Sequence, residues 1–439
     1  MIEIQGARGC AKVFSDKIEA SSEGLIKAFC DQLSCAGSQI RIMPDVHAGK
    51  GCVVGTTMTI TDKVVPNIVG VDIGCGMLTV KLKNKRINLP ELDSFIRNNI
   101  PSGRNIRERP HRRHECIDLC ELTCIGKLNC RNAENGLGTL GGGNHFIEID
   151  KDDDDCLYLI IHTGSRNLGL KVAEYYQELA YRSIGGKKQN DIPYELAYLE
   201  GENMENYLHD MRITQAFASL NRDIIKEIVV QGLKLKEDGC FSTVHNYIDT
   251  ESMILRKGAV SAQKGECLLI PMNMRDGALI CTGLGNSDWN YSAPHGAGRL
   301  MSRTEAEKSF TLNGFKESMA GIFTTSVAKD TIDECQWHTS PWKKSFRQSA
   351  RPSSSIGALS PSTISRQARI RSDVRSVTSP APIIKRPRCV RLFSSHFIKR
   401  PRCGRLFPLS IYGEGGADRP GGRSHGPGVR SHGPGVRSK

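Results

Sequence analysis

The chain has 439 residues, enough for one large domain with an appendage or for two to three average domains. Its formal charge is +13, but residues 336–439 carry +18 and residues 1–335 carry −5, so the basic pI does not mark the first part as a nucleic-acid binder. No secretory signal pattern and no apolar stretch of about 18 residues is present, which argues against a membrane protein and predicts a cytoplasmic one.

Short apolar runs bounded by glycine and proline predict a series of strands in residues 39–165. These runs are QIRIMPDV, GCVVGTTMTI, KVVPNIVGVDIG, MLTVKLK, NHFIEID and CLYLIIHTGS. Apolar residues at helical spacing predict helices over residues 23–33, 89–98, 171–184 and 205–235. Together these patterns predict a mixed α/β domain over residues 1–335, with glycine-rich loops directly after strands, where sites tend to be built.

The composition changes abruptly after Cys335. Residues 336–439 are rich in Ser, Pro, Gly and Arg and repeat the motifs KRPRC and SHGPGVR, which predicts a disordered basic tail. A shifted reading frame is an alternative origin for this tail. The stretch QWHTSPWKKSF can be encoded so that another frame reads MAYKPMEEII, an ordinary amphipathic helix. Sequencing of the gene tests this interpretation, and an intact tail in close relatives would contradict it.

Metal-ligand residues concentrate among glycines in six segments of the predicted domain. The segments are MPDVHAGKG (43–51), VGVDIGCGM (69–77), GTLGGGNHFIE (138–148), HTGSRNLG (162–169), HNY (245–247) and PHGAGRLMSR (294–303). Asp72 and Cys75 share one turn, and a carboxylate and a thiolate beside imidazoles suit Mn²⁺, Zn²⁺, Co²⁺ or Ni²⁺ better than Mg²⁺. A lone histidine is most often a core or surface residue, but His145, His162, His245 and His295 each adjoin Gly, Asn or Ser, which favours a shared site.

Two glycine loops have both a structural and a functional interpretation. GTLGGGN lacks the Walker and dinucleotide patterns, so a tight turn between strands explains it as well as phosphate binding does. In HGAGR, backbone amides and Arg299 flank His295. This arrangement favours a histidine nucleophile that attacks phosphorus, because those groups offset the charge of a phosphate.

These motifs, together with RKGAVSA at 256–262, resemble those of the RtcB RNA ligases, and the similarity runs from about Arg41 to Glu334. The resemblance implies a single RtcB-type α/β catalytic domain with a central metal cleft. It also implies an enzyme that uses GTP and Mn²⁺ to join RNA 2′,3′-cyclic phosphate or 3′-phosphate ends to 5′-hydroxyl ends, in tRNA splicing or RNA repair. An activator protein is a further partner that the resemblance leaves open.

Carried over by motif, the resemblance assigns a role to individual residues. It implies that His295 is the catalytic nucleophile that forms a histidine-bound GMP. Two Mn²⁺ ions, with Cys75 bridging them, would be bound by Asp72, Cys75, His145, His162 and His245. The nucleotide would be held by Asn144, Phe146, Glu148, Asn246, Asn273, His295, Gly296, Ala297 and Gly298.

The chain departs from the family pattern in two places. It reads PMNMRDGA at 271–278 where the family reads PGSMG followed by Ser. Two hydroxyls that the resemblance expects to contact the nucleotide are therefore missing, and Asn273 is the candidate to replace one of them. After Cys335 nothing matches the family's final segment, whose lysine contacts the guanine. These departures predict weaker GTP binding or poor solubility. They keep two alternatives open, a metal-dependent RNA phosphoesterase and an inactive RNA-binding relic.

Overall fold

The computed structural model describes residues 1–186, 192–298, 303–335, 337 and 359–360, and these residues form both helices and short strands. The helices are α1 (Ala20–Cys30), α2 (Pro66–Val69), α3 (Leu89–Asn99), α4 (Cys130–Gly136), α5 (Arg166–Ser183), α6 (Gly201–Gly232), α7 (Arg303–Ser309) and α8 (Leu312–Ser318). The strands are β1 (Ile2–Gln5), β2 (Cys10–Val13), β3 (Ile40–His47), β4 (Val54–Thr59), β5 (Lys63–Val64), β6 (Gly76–Leu82), β7 (Phe146–Lys151), β8 (Leu157–Thr163), β9 (Leu199–Glu200), β10 (Glu237–Val244), β11 (Asn246–Asp249), β12 (Ile254–Lys257), β13 (Ala259–Ser261), β14 (Cys267–Asn273), β15 (Gly277–Gly283), β16 (Ser292–Pro294) and β17 (Leu359–Ser360). The mixed α/β class predicted from the sequence is confirmed.

Two larger sheets organise these strands. The first has the order β1-β2-β3-β4-β12-β11 and is antiparallel except for the parallel pair β2 and β3. The second is fully antiparallel, with the order β10-β6-β8-β7. Smaller sheets pair β13 with β16, β5 with β9, and β14 with β15 and β17.

The four predicted helices are confirmed as α1, α3, α5 and α6, with ends shifted by a few residues. Five of the six predicted strands are confirmed as β3, β4, β6, β7 and β8. The prediction for KVVPNIVGVDIG is wrong. Only Lys63–Val64 pairs as a strand, because Pro66 starts helix α2 with its ring at the first turn, and Gly70 at φ 99° then ends that helix.

The largest hydrophobic core packs against the six-stranded sheet, and a second core lies on the helical side of the four-stranded sheet. Residues such as Ile147, Ile149 and Ile161 point toward α3 and α6 and are almost fully buried. Because side chains alternate along a strand, the neighbouring Phe146 and Ile160 point to the opposite face, against the β14–β15 hairpin. The alternation of side chains along these strands therefore places the core residues on one face of the sheet and leaves the other face for residues that form the site.

The last described helices form a small core of their own. Met274, Phe315, Met319 and Cys335 pack together there with little exposed surface. No helix in the described part of the chain is long and apolar enough to cross a bilayer. The predicted disorder or frameshift of residues 336–439 lies almost entirely outside the described residues, and the domain boundary and cytoplasmic location stay predictions.

Candidate active site

Asp72 and Cys75 lie in the tight turn between α2 and β6. Gly74 adopts φ 73° there, which lets the turn reverse within three residues. The Oδ1 atom of Asp72 accepts a hydrogen bond of 3.1 Å from the amide of Ser165. A Cβ added to Gly164 would come within 2.2 Å of that Oδ1 atom, so the glycine of HTGSR allows the carboxylate to approach the end of β8.

His145 and His162 direct their Nε2 atoms at the same point. The Cys75 Sγ atom lies 3.6 Å from Nε2 of His145 and 3.4 Å from Nε2 of His162. The Oδ2 atom of Asp72 lies 2.9 Å from Nε2 of His145. Each Nδ1 is 3.0 Å from a backbone carbonyl, Leu140 for His145 and Asn144 for His162. Since a carbonyl only accepts, Nδ1 donates in both rings, and this orients Nε2 toward the centre.

His245 and His295 extend this row of imidazoles. The ring centroids of His162 and His245 are 5.2 Å apart, and those of His245 and His295 are also 5.2 Å apart. His245 is 5% exposed, and its buried Nδ1 atom has no hydrogen-bond partner among the described residues. A buried ring nitrogen without a partner is costly, so its environment is suited to a ligand.

The protonation of these groups is set mainly by burial. Burial raises the pKa of the Cys75 thiol well above its ordinary value, and the charge of Asp72 adds to this effect. Burial also lowers the pKa of His245 well below its ordinary value, helped by His162 and His295. For Asp72 burial is the largest single effect and opposes ionisation, but the hydrogen bond with His145 and the charges of His145, Arg166 and His162 together hold the pKa below the ordinary value. The site therefore offers a carboxylate and a neutral imidazole.

The donor set fits one or two divalent cations. Two groups have ligand atoms within 4.8 Å of one another, namely Cys75 with His162 and His245, and Asp72 with Cys75 and His145. Cys75 belongs to both groups, which is the arrangement that a bridging thiolate requires. One oxygen, one sulfur and three nitrogen ligands match a borderline transition metal. All five residues proposed as metal ligands from the sequence are thus brought together.

His295 is held by Asp45, a carboxylate from β3. The Nδ1 atom of His295 lies 2.7 Å from Asp45 Oδ2, and the same oxygen accepts from the amides of His295 and Gly296 at 3.1 and 3.2 Å. The carboxylate is fully buried. Because Nδ1 donates to Asp45, the lone pair of Nε2 is left available, as a nucleophile requires.

The residues expected to hold a nucleotide differ in how they relate to this row. The Phe146 ring lies edge-on to His162 with centroids 5.0 Å apart, and Glu148 is buried on the same strand face. The Asn246 Oδ1 atom accepts from the Gly258 amide at 2.9 Å. Asn273 is engaged locally, since its side chain caps the β14–β15 turn through the amides of Arg275 and Asp276.

Residues 296–298 directly follow His295 in the chain and lie close to Asp45. Gly296 bonds to Asp45, Ala297 is buried, and Gly298 has φ 77° and passes close to Asp45. Asn144 is exposed, and its carbonyl holds His162. Arg299, expected beside His295 from the motif HGAGR, lies outside the described residues.

Three further residues that support the site were not predicted. Asp45 lies within the motif MPDVHAGKG, but no role was predicted for it. Arg166 has φ 58°, an unusual backbone conformation for a non-glycine residue, and its Nη1 atom lies 3.3 Å from His145 Nδ1. Arg222 is fully buried and donates to the carbonyls of Gly74 and Thr163 at 2.8 and 2.9 Å. The HTGSR motif was the available signal for Arg166, whereas Arg222 lies in an ordinary helical pattern.

Known proteins are similar to this chain over most of its described residues. The family described as "tRNA-splicing ligase RtcB" matches residues 30–122 and 110–337. The RNA-splicing ligase RtcB of Escherichia coli (strain K12) is 35% identical over 338 residues, an alignment that covers 67% of this chain and 82% of that protein. The tRNA-splicing ligases RtcB of Aeropyrum pernix and Methanococcus maripaludis are 27% and 26% identical, each over 67% of this chain and 80% of their own length.

Proposed function

The chain belongs to the RtcB family of tRNA-splicing ligases, and from this premise we propose that it is an RNA ligase. Its substrates would be RNA 2′,3′-cyclic phosphate or 3′-phosphate ends and 5′-hydroxyl ends, from tRNA halves or cleaved RNA. The observation that carries this proposal is the row of four imidazoles, which joins a metal-binding cluster to a histidine held by a buried carboxylate.

The metal cofactor in this proposal is a pair of Mn²⁺ ions. Cys75 would bridge them, because both candidate ligand groups contain its sulfur. The other ligands would be Asp72, His145, His162 and His245. When bound, such cations offset the negative charge of a transferring phosphoryl group and of its pyrophosphate leaving group.

His295 is proposed as the nucleophile toward GTP. Its Nε2 atom would attack the α-phosphorus, forming a phosphorus–nitrogen bond while the bond to pyrophosphate breaks. Nδ1 keeps its proton and its hydrogen bond to Asp45. The negative charge of Asp45 stabilises the imidazole ring as the ring becomes positive. The product is a GMP group linked covalently to His295.

The nucleotide would lie between the imidazole row and the β14–β15 hairpin. Phe146 contacts the row directly and lies in the same apolar cluster as residues of this hairpin. Amides near His295 would contact the phosphates. The proposed nucleotide-binding residues are Asn144, Phe146, Glu148, Asn246, Asn273, Gly296, Ala297 and Gly298.

The remaining steps transfer GMP to RNA. After hydrolysis of any cyclic phosphate, an oxygen of the RNA 3′-phosphate would attack the His295-bound phosphorus and release the imidazole. The 5′-hydroxyl of the second RNA would then attack the 3′-phosphorus, form the phosphodiester and expel GMP. Each step breaks one bond to phosphorus as another forms.

Incubation with Mn²⁺ and GTP radiolabelled at its α-phosphate tests this proposal. We expect label on the protein, none on a His295→Ala variant, and normal labelling of His209→Ala, which removes a partly exposed imidazole of α6. A phosphoesterase would open cyclic phosphates without acquiring label. Absence of label on the full chain at saturating GTP would refute the proposed intermediate.

A further inference from the structure

Residues 101–116 carry a local positive charge on a domain whose net charge is negative. This segment has five arginines against two glutamates, or +3, whereas residues 1–335 together carry −5. We call it the arginine segment, after Arg104, Arg107, Arg109, Arg112 and Arg113. None of these five arginines contacts the metal cluster within the described residues, so the positive charge of the arginine segment is available for another role.

The arginine segment is attached to the loop that carries His145. The amide of Gly103 donates to the Gly141 carbonyl at 2.8 Å, and the amide of Leu140 donates to the Pro101 carbonyl at 2.8 Å. Arg107 reinforces the junction, since its guanidinium donates to the carbonyls of residues 137 and 138 at 3.0 and 2.7 Å. The segment therefore lies at the rim of the candidate active site.

Two of the five arginines are free to bind a partner. Arg112 and Arg113 both form ion pairs with Glu227, and Arg107 is used by the loop. Arg104 and Arg109 are exposed, and neither forms an ion pair within the described ranges of the chain. Exposed guanidinium groups without an acidic partner are suited to bind phosphate, often through two parallel hydrogen bonds.

The glycine loop supplies hydrogen-bond donors next to the arginine segment. Gly142 and Gly143 are exposed, and their amides donate no hydrogen bond to any other described residue. Gly141 and Gly143 have φ of 86° and 73°, and successive amides in such a turn form a concave anion-binding surface. The Cα of Gly103 would lie 3.5 Å from a Cβ on Gly142, so the two stretches are adjacent.

We propose that Arg104, Arg109 and the amides of Gly142 and Gly143 bind the sugar–phosphate backbone of the RNA strand whose 3′-phosphate enters the site. This inference rests on the proposed RNA ligase function. An acidic protein surface would also be attracted to arginines, but the free amides next to His145 favour phosphates that continue from the reacting end. Contacts of this kind position a strand without reading its sequence.

Equilibrium binding of a short single-stranded RNA with a 3′-phosphate, measured on the full chain at several salt concentrations, tests the inference. The double variant Arg104→Ala/Arg109→Ala should bind more weakly. Its slope of log affinity against log salt should be smaller by about 1.4, because each lost phosphate contact on a single strand contributes about 0.7. Arg104→Lys/Arg109→Lys keeps the charge and should restore most of the slope.

A matched control separates the segment from general charge. Lys27→Ala/Arg182→Ala removes the same charge from exposed ion pairs on α1 and α5, and Arg182 lies about 24 Å along its helix from Arg166. We expect this variant to retain the parental slope. Equal slopes for all variants, or an equal loss in the control, would overturn the proposal.

Two further measurements keep this test independent of the ligase mechanism. RNA with a 4-thiouridine next to its 3′-phosphate should crosslink to peptides within residues 101–144, and crosslinks confined to residues 336–439 would contradict the assigned surface. GMP labelling without RNA should be unchanged in the Arg104/Arg109 variants. If no protein becomes labelled but the slope still falls, the ligase chemistry is wrong and the RNA surface stands.

Discussion

At the scale of single residues, Asp45 determines which nitrogen of His295 is reactive. One carboxylate oxygen accepts three N–H groups, while the other oxygen is buried without a partner among the described residues. The hydrogen bonds of Asp45 are thus all made by the oxygen that faces His295, where they stabilise the positive charge that develops on the imidazole. This arrangement explains why an aspartate, rather than an amide, occupies the position.

The variant Asp45→Asn keeps the shape of the side chain but removes its charge. We expect GMP labelling of His295 to slow by about 10- to 100-fold, the usual effect of losing a residue that orients a reactive histidine. The measurement is the initial rate of label incorporation at saturating GTP. His47→Ala, which alters the neighbouring imidazole that bonds to the Asp45 carbonyl, is the control, and a similar loss in both variants would argue against a specific role for the carboxylate.

His111 provides a pH dependence of stability. Burial, followed by the charge of Arg107, lowers its pKa to about 4, and the ring accepts a hydrogen bond from the Arg113 amide. Since the ordinary pKa of an unfolded histidine is about 6.5, the unfolded chain binds more protons between these values. The stabilising contribution is complete above about pH 6.5 and is lost as the pH falls toward 4.

Thermal unfolding at pH 7 and pH 5 tests this dependence. The parent chain should lose more of its midpoint temperature over this interval than His111→Asn, whose side chain can still accept from the Arg113 amide but does not titrate. Parallel losses in the two proteins would show that other groups control the acid sensitivity.

At the scale of secondary-structure elements, helix α6 connects the loops of the site from behind. Asn221 is fully buried, and its Oδ1 atom accepts from the amides of Gly138 and Thr139 at 2.8 and 3.2 Å. Its amide group donates to the carbonyls of Thr139 and Gly164 at 3.2 and 3.1 Å. One side chain therefore ties the glycine loop to the end of β8.

Replacing Asn221 with alanine leaves these backbone groups without partners. We expect the free energy of unfolding to fall by about 3 kcal/mol, since several buried groups lose their hydrogen bonds at once. Urea denaturation measures the change. Asn98→Ala, on the exposed face of α3, should change stability by less than about 0.5 kcal/mol, and an equal effect at both sites would contradict the structural role of Asn221.

The sequence predicts elements well where a pattern is long enough. Helix α6 and strands β6 and β8 show continuous periodicity, and all were found. Strands β13 and β16 have only three residues each, too few for a period, and they exist because they pair with each other. In the site, the residues proposed as metal ligands could be predicted from local motifs. The hydrogen bond between Asp45 and His295 could not, because it joins residues 250 positions apart.

At the scale of the whole molecule, the proposed metal ions would link distant parts of the chain. A ligand that binds only the folded state raises stability, by about 2.7 kcal/mol when its concentration is 100 times its dissociation constant. We therefore expect Mn²⁺ to raise the unfolding midpoint, and a chelator to lower it again. Thermal unfolding with and without the metal measures this difference.

Cys75→Ser should remove most of the Mn²⁺ effect, because both ligand groups contain that sulfur. Cys267→Ser removes an exposed thiol at the start of β14 and should leave the effect intact. A metal-dependent rise that persists unchanged in Cys75→Ser would place the binding site elsewhere.

The separation of these groups along the chain has a consequence for biosynthesis. Cys75 emerges from the ribosome 170 residues before His245, although the two meet in one cluster. At translation rates of about 5 to 20 residues per second, the nascent thiol waits about 10 to 30 seconds for its last partner. During that interval it is open to oxidants, so a cell that makes this protein under peroxide stress should accumulate damaged newly made chains while mature copies are spared.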